Sequence, residues 1–174
     1  SYLGTYAADR QAALERLFIE PARQRPADRF VIGGAHYPEQ FPWSENIFFV
    51  RHLPPAEHPA FFSSSRLTLN VTRDTMAAMG WCPSGRLFEA SACGTPIVSD
   101  RWDGLDDFFT PGEEILIADT TADALAALEL SDAELGKIAS AARERTLSDH
   151  SSARRAQQFE ELLAGAREPE ALTA

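Results

Sequence analysis

Along the chain, short apolar runs alternate with stretches in which apolar residues recur every three or four positions. Ser1-Tyr2-Leu3-Gly4 reads as the end of a strand, and Ala12, Ala13, Leu14, Leu17 and Phe18 then follow at helical spacing up to Pro21. A second strand covers Arg29 to Gly34 and leaves through two glycines. Asn46 to Leu53 is a third, whose run Ile47-Phe48-Phe49-Val50 suits burial on both faces, and Pro54-Pro55 stops it. A short helix around Glu57 to Ser63 leads into a fourth strand, Arg66 to Val71. A long loop is expected from Thr72 through Gly80, then a helix from Pro83 to Cys93 with Gly94 at its exit. Thr95 to Ser99 and Glu114 to Ala118 complete six strands. Thr120-x-x-Asp123 and Ser131-x-x-Glu134 are helix-opening capping boxes. The last helices carry two apolar stripes: Leu135, Ile138, Ala139 and Ala142, then Ala156, Phe159, Leu162 and Leu163.

Six short runs separated by helices predict an α/β fold with a doubly wound, Rossmann-like parallel sheet of about six strands. Such sheets bind ligands at the carboxyl ends of their strands. The loops after strands one, three, four and five are therefore the places to look for chemistry.

The 174 residues, 44% hydrophobic and 24% charged, suit one domain, expected over residues 1–164 with a frayed tail over 165–174. Sixteen basic against 26 acidic residues give a net charge of −10, which argues against a nucleic-acid duplex as partner. A few arginines at a helix N-terminus still suffice for a local anion site. No run approaches the ~20 apolar residues of a membrane span, and Cys82 and Cys93 make no disulfide framework, so a cytoplasmic location is expected. The chain starts at Ser1 and enters a strand at once, which is expected of a piece of a longer protein.

Neither G-x-x-x-x-G-K-[ST] nor G-x-G-x-x-G occurs, which argues against P-loop enzymes and ordinary NAD enzymes. No D-x-D occurs, and His36, His52, His58 and His150 lack zinc spacing, so no metal is expected and the histidines read as surface or supporting residues. The informative stretch runs from Arg73 to Asp100. Glu89 lies between Phe88 and Ala90 on an element that reads as buried, where a carboxylate needs a donor. The vicinal hydroxyls of a ribose are one candidate, and an ion pair with Arg86 at i−3 is the other. Pro83, Ser84 and Gly85 open the helix, leaving backbone N–H groups and the positive dipole end for a diphosphate, with Arg86 in the first turn and Arg73 in the preceding loop.

The segment R-L-F-E-A-S-A-C-G-T-P-I-V-S-D resembles the donor-site helix and following strand of GT-B glycosyltransferases of the group 1 family. With Asn70-Val71-Thr72-Arg73 upstream and Pro111-Gly112-Glu113-Glu114 downstream, the chain looks most like the CgeB-type spore-maturation members. The resemblance extends from Tyr2 to the helix beginning near Ser151. It implies a metal-independent enzyme of two domains, in which this chain is the half that binds a nucleotide-diphosphate sugar and an N-terminal acceptor domain lies outside it. No cofactor beyond the donor is implied, and the base, sugar and acceptor are left open.

Carried over by position, Glu89 would hold the ribose hydroxyls, and Pro83, Ser84, Gly85 and Arg86 would lie along the diphosphate. The family's first-loop pattern G-R-x-x-x-x-K becomes Gly4, Thr5 and Arg10, so one of two charges is kept. Arg10, Arg73 and Arg86 are the candidates to stabilise charge on a departing diphosphate, with Arg51 and Arg101 weaker. Many relatives carry a glutamate near the place of Trp81, which is here left to stack on a sugar or base. His52 and Leu53 follow strand three, where the resemblance puts the nucleobase and a plain turn fits equally. No general base stands out, so the isolated chain is expected to transfer little or nothing. A non-catalytic binding module of the same fold is the alternative. A piece cut from a two-domain enzyme should also expose an apolar patch, with Trp43, Trp81 or Trp102 in it.

Overall fold

The computed structural model describes residues 1–165. Its six strands are β1 (Tyr2–Leu3), β2 (Phe30–Gly34), β3 (Ile47–Arg51), β4 (Thr68–Asn70), β5 (Ile97–Ser99) and β6 (Leu116–Ile117). They form one parallel sheet in the order β3-β2-β1-β4-β5-β6, the doubly wound order expected, with the direction reversing between β1 and β4.

Successive strand residues point to opposite faces, so each strand feeds two cores. Tyr2, Ile32, Leu69 and Val98 pack with Leu14, Phe18 and Ala124 on one face; Leu3 and Ile97 pack with Phe62, Leu87 and Ala142 on the other. The first face is covered by α1 (Gln11–Leu14), α2 (Glu20–Gln24) and α6 (Thr121–Glu129). On the second lie α3 (His58–Ser63), α5 (Gly85–Ala92) and α7 (Asp132–Asp149). Both capping boxes form: Thr120 and Ser131 accept from the backbone N–H groups of Asp123 and Glu134, whose carboxylates accept in return.

Three expectations need correction. First, the opening helix does not end at Pro21. It passes through a wide turn, Glu15–Ile19, where the N–H of Glu20 reaches back five residues to the Glu15 carbonyl. Pro21 has no N–H for the next carbonyl, that of Arg16, and the Thr121 hydroxyl donates to it at 2.8 Å. Second, part of the expected loop before Gly80 is a helix, α4 (Asp74–Met79), which Gly80 ends in a left-handed turn. Third, β3 is an edge strand: Ile47 is buried but Phe48, Phe49 and Val50 are exposed. Of the two apolar stripes, that of α7 is buried at Leu135, Ile138, Ala139 and Ala142, whereas α8 (Ser152–Gly165) leaves Phe159, Leu162 and Leu163 exposed. The expected tail, apart from Gly165, lies outside the described residues. Of the three tryptophans, Trp102 is buried, Trp43 stacks within an aromatic cluster beside Phe41, and Trp81 is exposed. No helix among the described residues is long and apolar enough to cross a membrane.

Candidate functional site

A cleft of about 370 Å³ opens at the carboxyl ends of β1, β2 and β3 and against the first turn of α5. Leu3, Gly4 and Thr5 form one wall, Gly34, Ala35, His52 and Leu53 a second, and Ser84, Arg86 and Glu89 a third, with Pro55 and His58 closing the side.

Two glycines bring these walls together. A Cβ on Gly34, at φ +151°, would stand 2.1 Å from the Gly4 carbonyl oxygen. One on Gly4 would stand 2.7 Å from the Tyr2 hydroxyl and 2.9 Å from Arg86 Nη2. Side chains then secure the β1 loop from beneath, each giving a donor to one of three successive carbonyls. Arg86 Nε donates to Leu3 O, the Tyr37 hydroxyl to Gly4 O at 3.0 Å, and Arg10 Nη2 to Thr5 O at 2.7 Å. Burial pushes the Tyr37 phenol up, and the neighbouring Tyr2 adds to the shift.

Arg86 belongs to both the cleft and the core. Its Nη1 donates to Asn70 Oδ1 at 2.8 Å, and its guanidinium lies 5.0 Å from the centre of the Tyr2 ring. Burial lowers its pKa from the usual value, as removal of a charge from water must. Ser84 caps α5 by accepting from the Arg86 N–H. One turn further, Glu89 is not buried: its side chain is 52% exposed. It does not pair with Arg86 either, because that guanidinium is turned back to β1 and β4. Its Oε2 instead meets His58 Nδ1 at 3.1 Å.

Of the residues singled out from sequence, Gly4, Thr5, His52, Leu53, Ser84, Arg86 and Glu89 line this one cleft. Arg10, Arg73, Trp81, Pro83 and Gly85 do not. Arg10 is committed under the β1 loop, to Thr5 O and to the Tyr2 hydroxyl at 3.1 Å. Arg73, 53% exposed, reaches Asp9 at 3.2 Å. Trp81 takes a left-handed backbone (φ 46°), hydrogen bonds Asp107 through its indole, and lies so close over Gly104 that a Cβ there would be 2.5 Å from its ring. His52 is also left-handed, at φ 54°, its N–H bonded to Gly34 O at 2.8 Å. Such backbones cost about 1–3 kcal/mol each and gather near functional surfaces.

Sequence reasoning placed His58 only among surface or supporting histidines and Pro55 only as a strand stop, and put neither in the site. Lone histidines carry no spacing signal, and His58 gains meaning only because α3 packs against α5. It also passed over Asp100, at the end of β5, which accepts from the Thr72 N–H at 2.9 Å and the Thr72 hydroxyl at 3.0 Å. Burial raises its pKa, against the pull of those bonds. Among the described residues no three His, Cys, Asp or Glu gather as a metal site would require.

A family model described as glycosyl transferase-like matches residues 10–161. The Anabaena protein HepE, solved with UDP-glucose, superposes with a TM-score of 0.72 at 16% identity over 94% of this chain and 48% of that one. The C-terminal domain of a glycosyl transferase group 1 family protein (LpcC) from Francisella tularensis superposes at 0.64, with 13% identity over 87% and 85% of the two chains. T4 phage BGT with its UDP-glucose substrate gives 0.70, at 13% identity over 92% and 46%. The chain spans about half the length of HepE and of the phage enzyme. A comparison with curated proteins gave no match. The sheet order and these superpositions make the fold that of the C-terminal half of a GT-B glycosyltransferase, and with residues 10–161 matched the chain belongs to the glycosyl transferase-like family.

Proposed function

We propose that this chain is the donor-binding half of a metal-independent glycosyltransferase of the CgeB type, and that its cleft takes a nucleotide-diphosphate sugar. The observation that carries the reading is the placing of Arg86 and Glu89 one turn apart at the start of α5, both lining the same cleft though not bonded to each other. A diphosphate fits the first: the helix's positive end, its free N–H groups and a guanidinium act together. A ribose fits the second, since a carboxylate accepts from two neighbouring hydroxyls. His52 and Leu53 then border the nucleobase. The UDP and UDP-glucose held by HepE make a uridine donor the first to try.

In this reading, charge that builds on the departing diphosphate is met by Arg86 and the α5 amides, which are already in place and need not reorganise. Arg10 acts by holding Thr5 and the β1 loop in position. Arg73 and Trp81 stand outside the cleft, and Trp81 offers its exposed ring to the sugar or to a second domain. The acceptor site and any general base belong to the other half, so the isolated chain transfers no sugar. Two free cysteines fit the reducing cytoplasm.

The test is a thermal shift with UDP, GDP, ADP, CMP and dTDP, each on the wild type and on Glu89→Ala. A ligand at 100 times its dissociation constant adds about 2.7 kcal/mol to the folded state, on the order of 5 °C for a domain of this size. A shift with one base that Glu89→Ala abolishes supports the reading, and no shift with any of them counts against it. The turning of Arg10 and Arg73 away from the cleft favours a second reading, a non-catalytic binding module of the same fold. Sugar transfer by a chain that includes the acceptor half, lost in Arg86→Met, would exclude that module.

A further inference from the structure

The donor reading gives Glu89 a ribose to hold, yet an exposed glutamate on a helix surface has three rotatable bonds and no reason to wait in one rotamer. The structure supplies a reason from another element. His58, the first residue of α3, reaches across to α5 and meets Glu89 Oε2 at 3.1 Å, although the two are 31 residues apart in sequence. The imidazole is itself held. Its ring stands edge-on to the fully buried Phe62 (6.3 Å, 78°), and its side chain is 24% exposed.

The chemistry of the pair fixes its polarity. A carboxylate only accepts, so the nitrogen facing it, Nδ1, carries a proton. Oε2 is thereby occupied. Oε1 has no protein partner among the described residues and lies over the opening turn of α5, where a Cβ on Gly85 would stand 3.8 Å from it. One oxygen is anchored and the other is open toward the cleft.

We infer that His58 is a positioning residue for the donor's ribose: by taking Oε2 it holds the Glu89 carboxylate with Oε1 aimed to accept the two neighbouring ribose hydroxyls. The inference rests on the donor reading above and adds a residue to it. His58 touches no reacting atom; it acts through Glu89. Oε1 has two lone pairs and can accept from both neighbouring hydroxyls, so the effect is a preference for ribose over 2′-deoxyribose, which offers only one of those donors.

The experiment is calorimetric titration of the 174-residue chain with UDP, GDP and ADP and their 2′-deoxy counterparts. The variants are His58→Ala, His58→Asn, Glu89→Ala and the double alanine. His58→Ala should weaken the ribonucleotide about tenfold, the equivalent of re-fixing one long side chain, and leave the deoxynucleotide almost unchanged. His58→Asn should recover most of the loss, since its amide nitrogen sits near the place of Nδ1. In the Glu89→Ala background, His58→Ala should cost nothing further. Equal weakening of ribo- and deoxynucleotide, or losses that add in the double variant, would overturn the inference.

A ligand-free readout separates it from the donor reading. The imidazole nitrogen spectrum of the unliganded protein should show the neutral His58 protonated on Nδ1, with that preference lost in Glu89→Ala. The opposite tautomer in the wild type refutes the pairing, whatever nucleotides do. The expected tautomer with no nucleotide bound refutes the ribose assignment through failure of the donor reading, and leaves the pairing itself intact.

Discussion

Adding one methyl group at Gly34 should damage this fold more than at any exposed glycine, and the structure says by how much. The new Cβ would lie 2.1 Å from the Gly4 carbonyl oxygen, over 1 Å inside ordinary contact, and both atoms are fixed to the backbone. Relief requires the ends of β1 and β2 to part. That stretches the bonds from Gly4 N–H to Gly33 O (2.8 Å) and from Tyr6 N–H to Ala35 O (2.9 Å). Two such bonds are worth about 1 kcal/mol each, and the φ of +151° adds about 1–3 kcal/mol for a residue with a Cβ. Gly34→Ala should therefore cost about 3–5 kcal/mol, a large part of the ~5–15 kcal/mol that holds a domain together.

Two controls isolate the terms. Gly112, at φ +83°, has nothing within 4 Å of the place a methyl group would take, so Gly112→Ala carries the backbone strain alone, about 1 kcal/mol. Gly136 is exposed within α7, also with open space, and Gly136→Ala should stabilise by about 0.5–1 kcal/mol. Urea unfolding followed by tryptophan fluorescence gives all three on one scale. If Gly34→Ala lay within 1 kcal/mol of Gly112→Ala, the close approach of the two strand ends would be worth nothing and the argument would fail. The cleft walls meet at this contact, so the same variant should also lose the nucleotide-dependent thermal shift.

Three further outcomes follow from ionisable groups. Burial raises the Asp100 pKa above 3.8, so the folded chain keeps that proton to higher pH than the unfolded one. Its contribution is greatest below pH 3.8 and declines as pH rises through the folded value, and the stability difference between wild type and Asp100→Asn, from urea midpoints at successive pH, should show that decline. Tyr37 has its pKa raised above 10, so it should stay protonated where an ordinary phenol has ionised. Ultraviolet titration of wild type against Tyr37→Phe reads this, and the stability tied to Tyr37 should fall as pH rises above 10. Asp123 and Glu134 are held below 3.8 and 4.5 by the donors of Thr120 and Ser131. Their contributions are present above those values and vanish as pH falls through the folded ones, so Asp123→Asn with Glu134→Gln should flatten the acid limb of the stability curve measured by circular dichroism.

The elements that sequence reading recovered are those set by forces acting within a few residues. Thr120 and Ser131 bond groups three residues away, and both boxes form as the spacing requires. The six strands appear where apolar runs lie between turn residues. Ser84, Arg86 and Glu89 are legible together because they lie within the first turns of one helix. The misreadings share a different property. Helical spacing ahead of Pro21 says nothing of Thr121, 105 residues beyond the Arg16 carbonyl it satisfies. Phe48 and Phe49 look like core residues because an apolar run has the same composition in the middle of a sheet and at its edge.

Local sequence thus determined the six strands and most of the helices, though not α4, and that an arginine and a glutamate share the first turns of α5. The order of strands decided the rest: that β3 is an edge, that Arg86 reaches Leu3 and Asn70, and that His58 meets Glu89. Periodicity and capping depend on neighbours in the chain, whereas a side chain's hydrogen-bond partner is whatever the crossover connections bring within about 3 Å. That is a property of the assembled sheet.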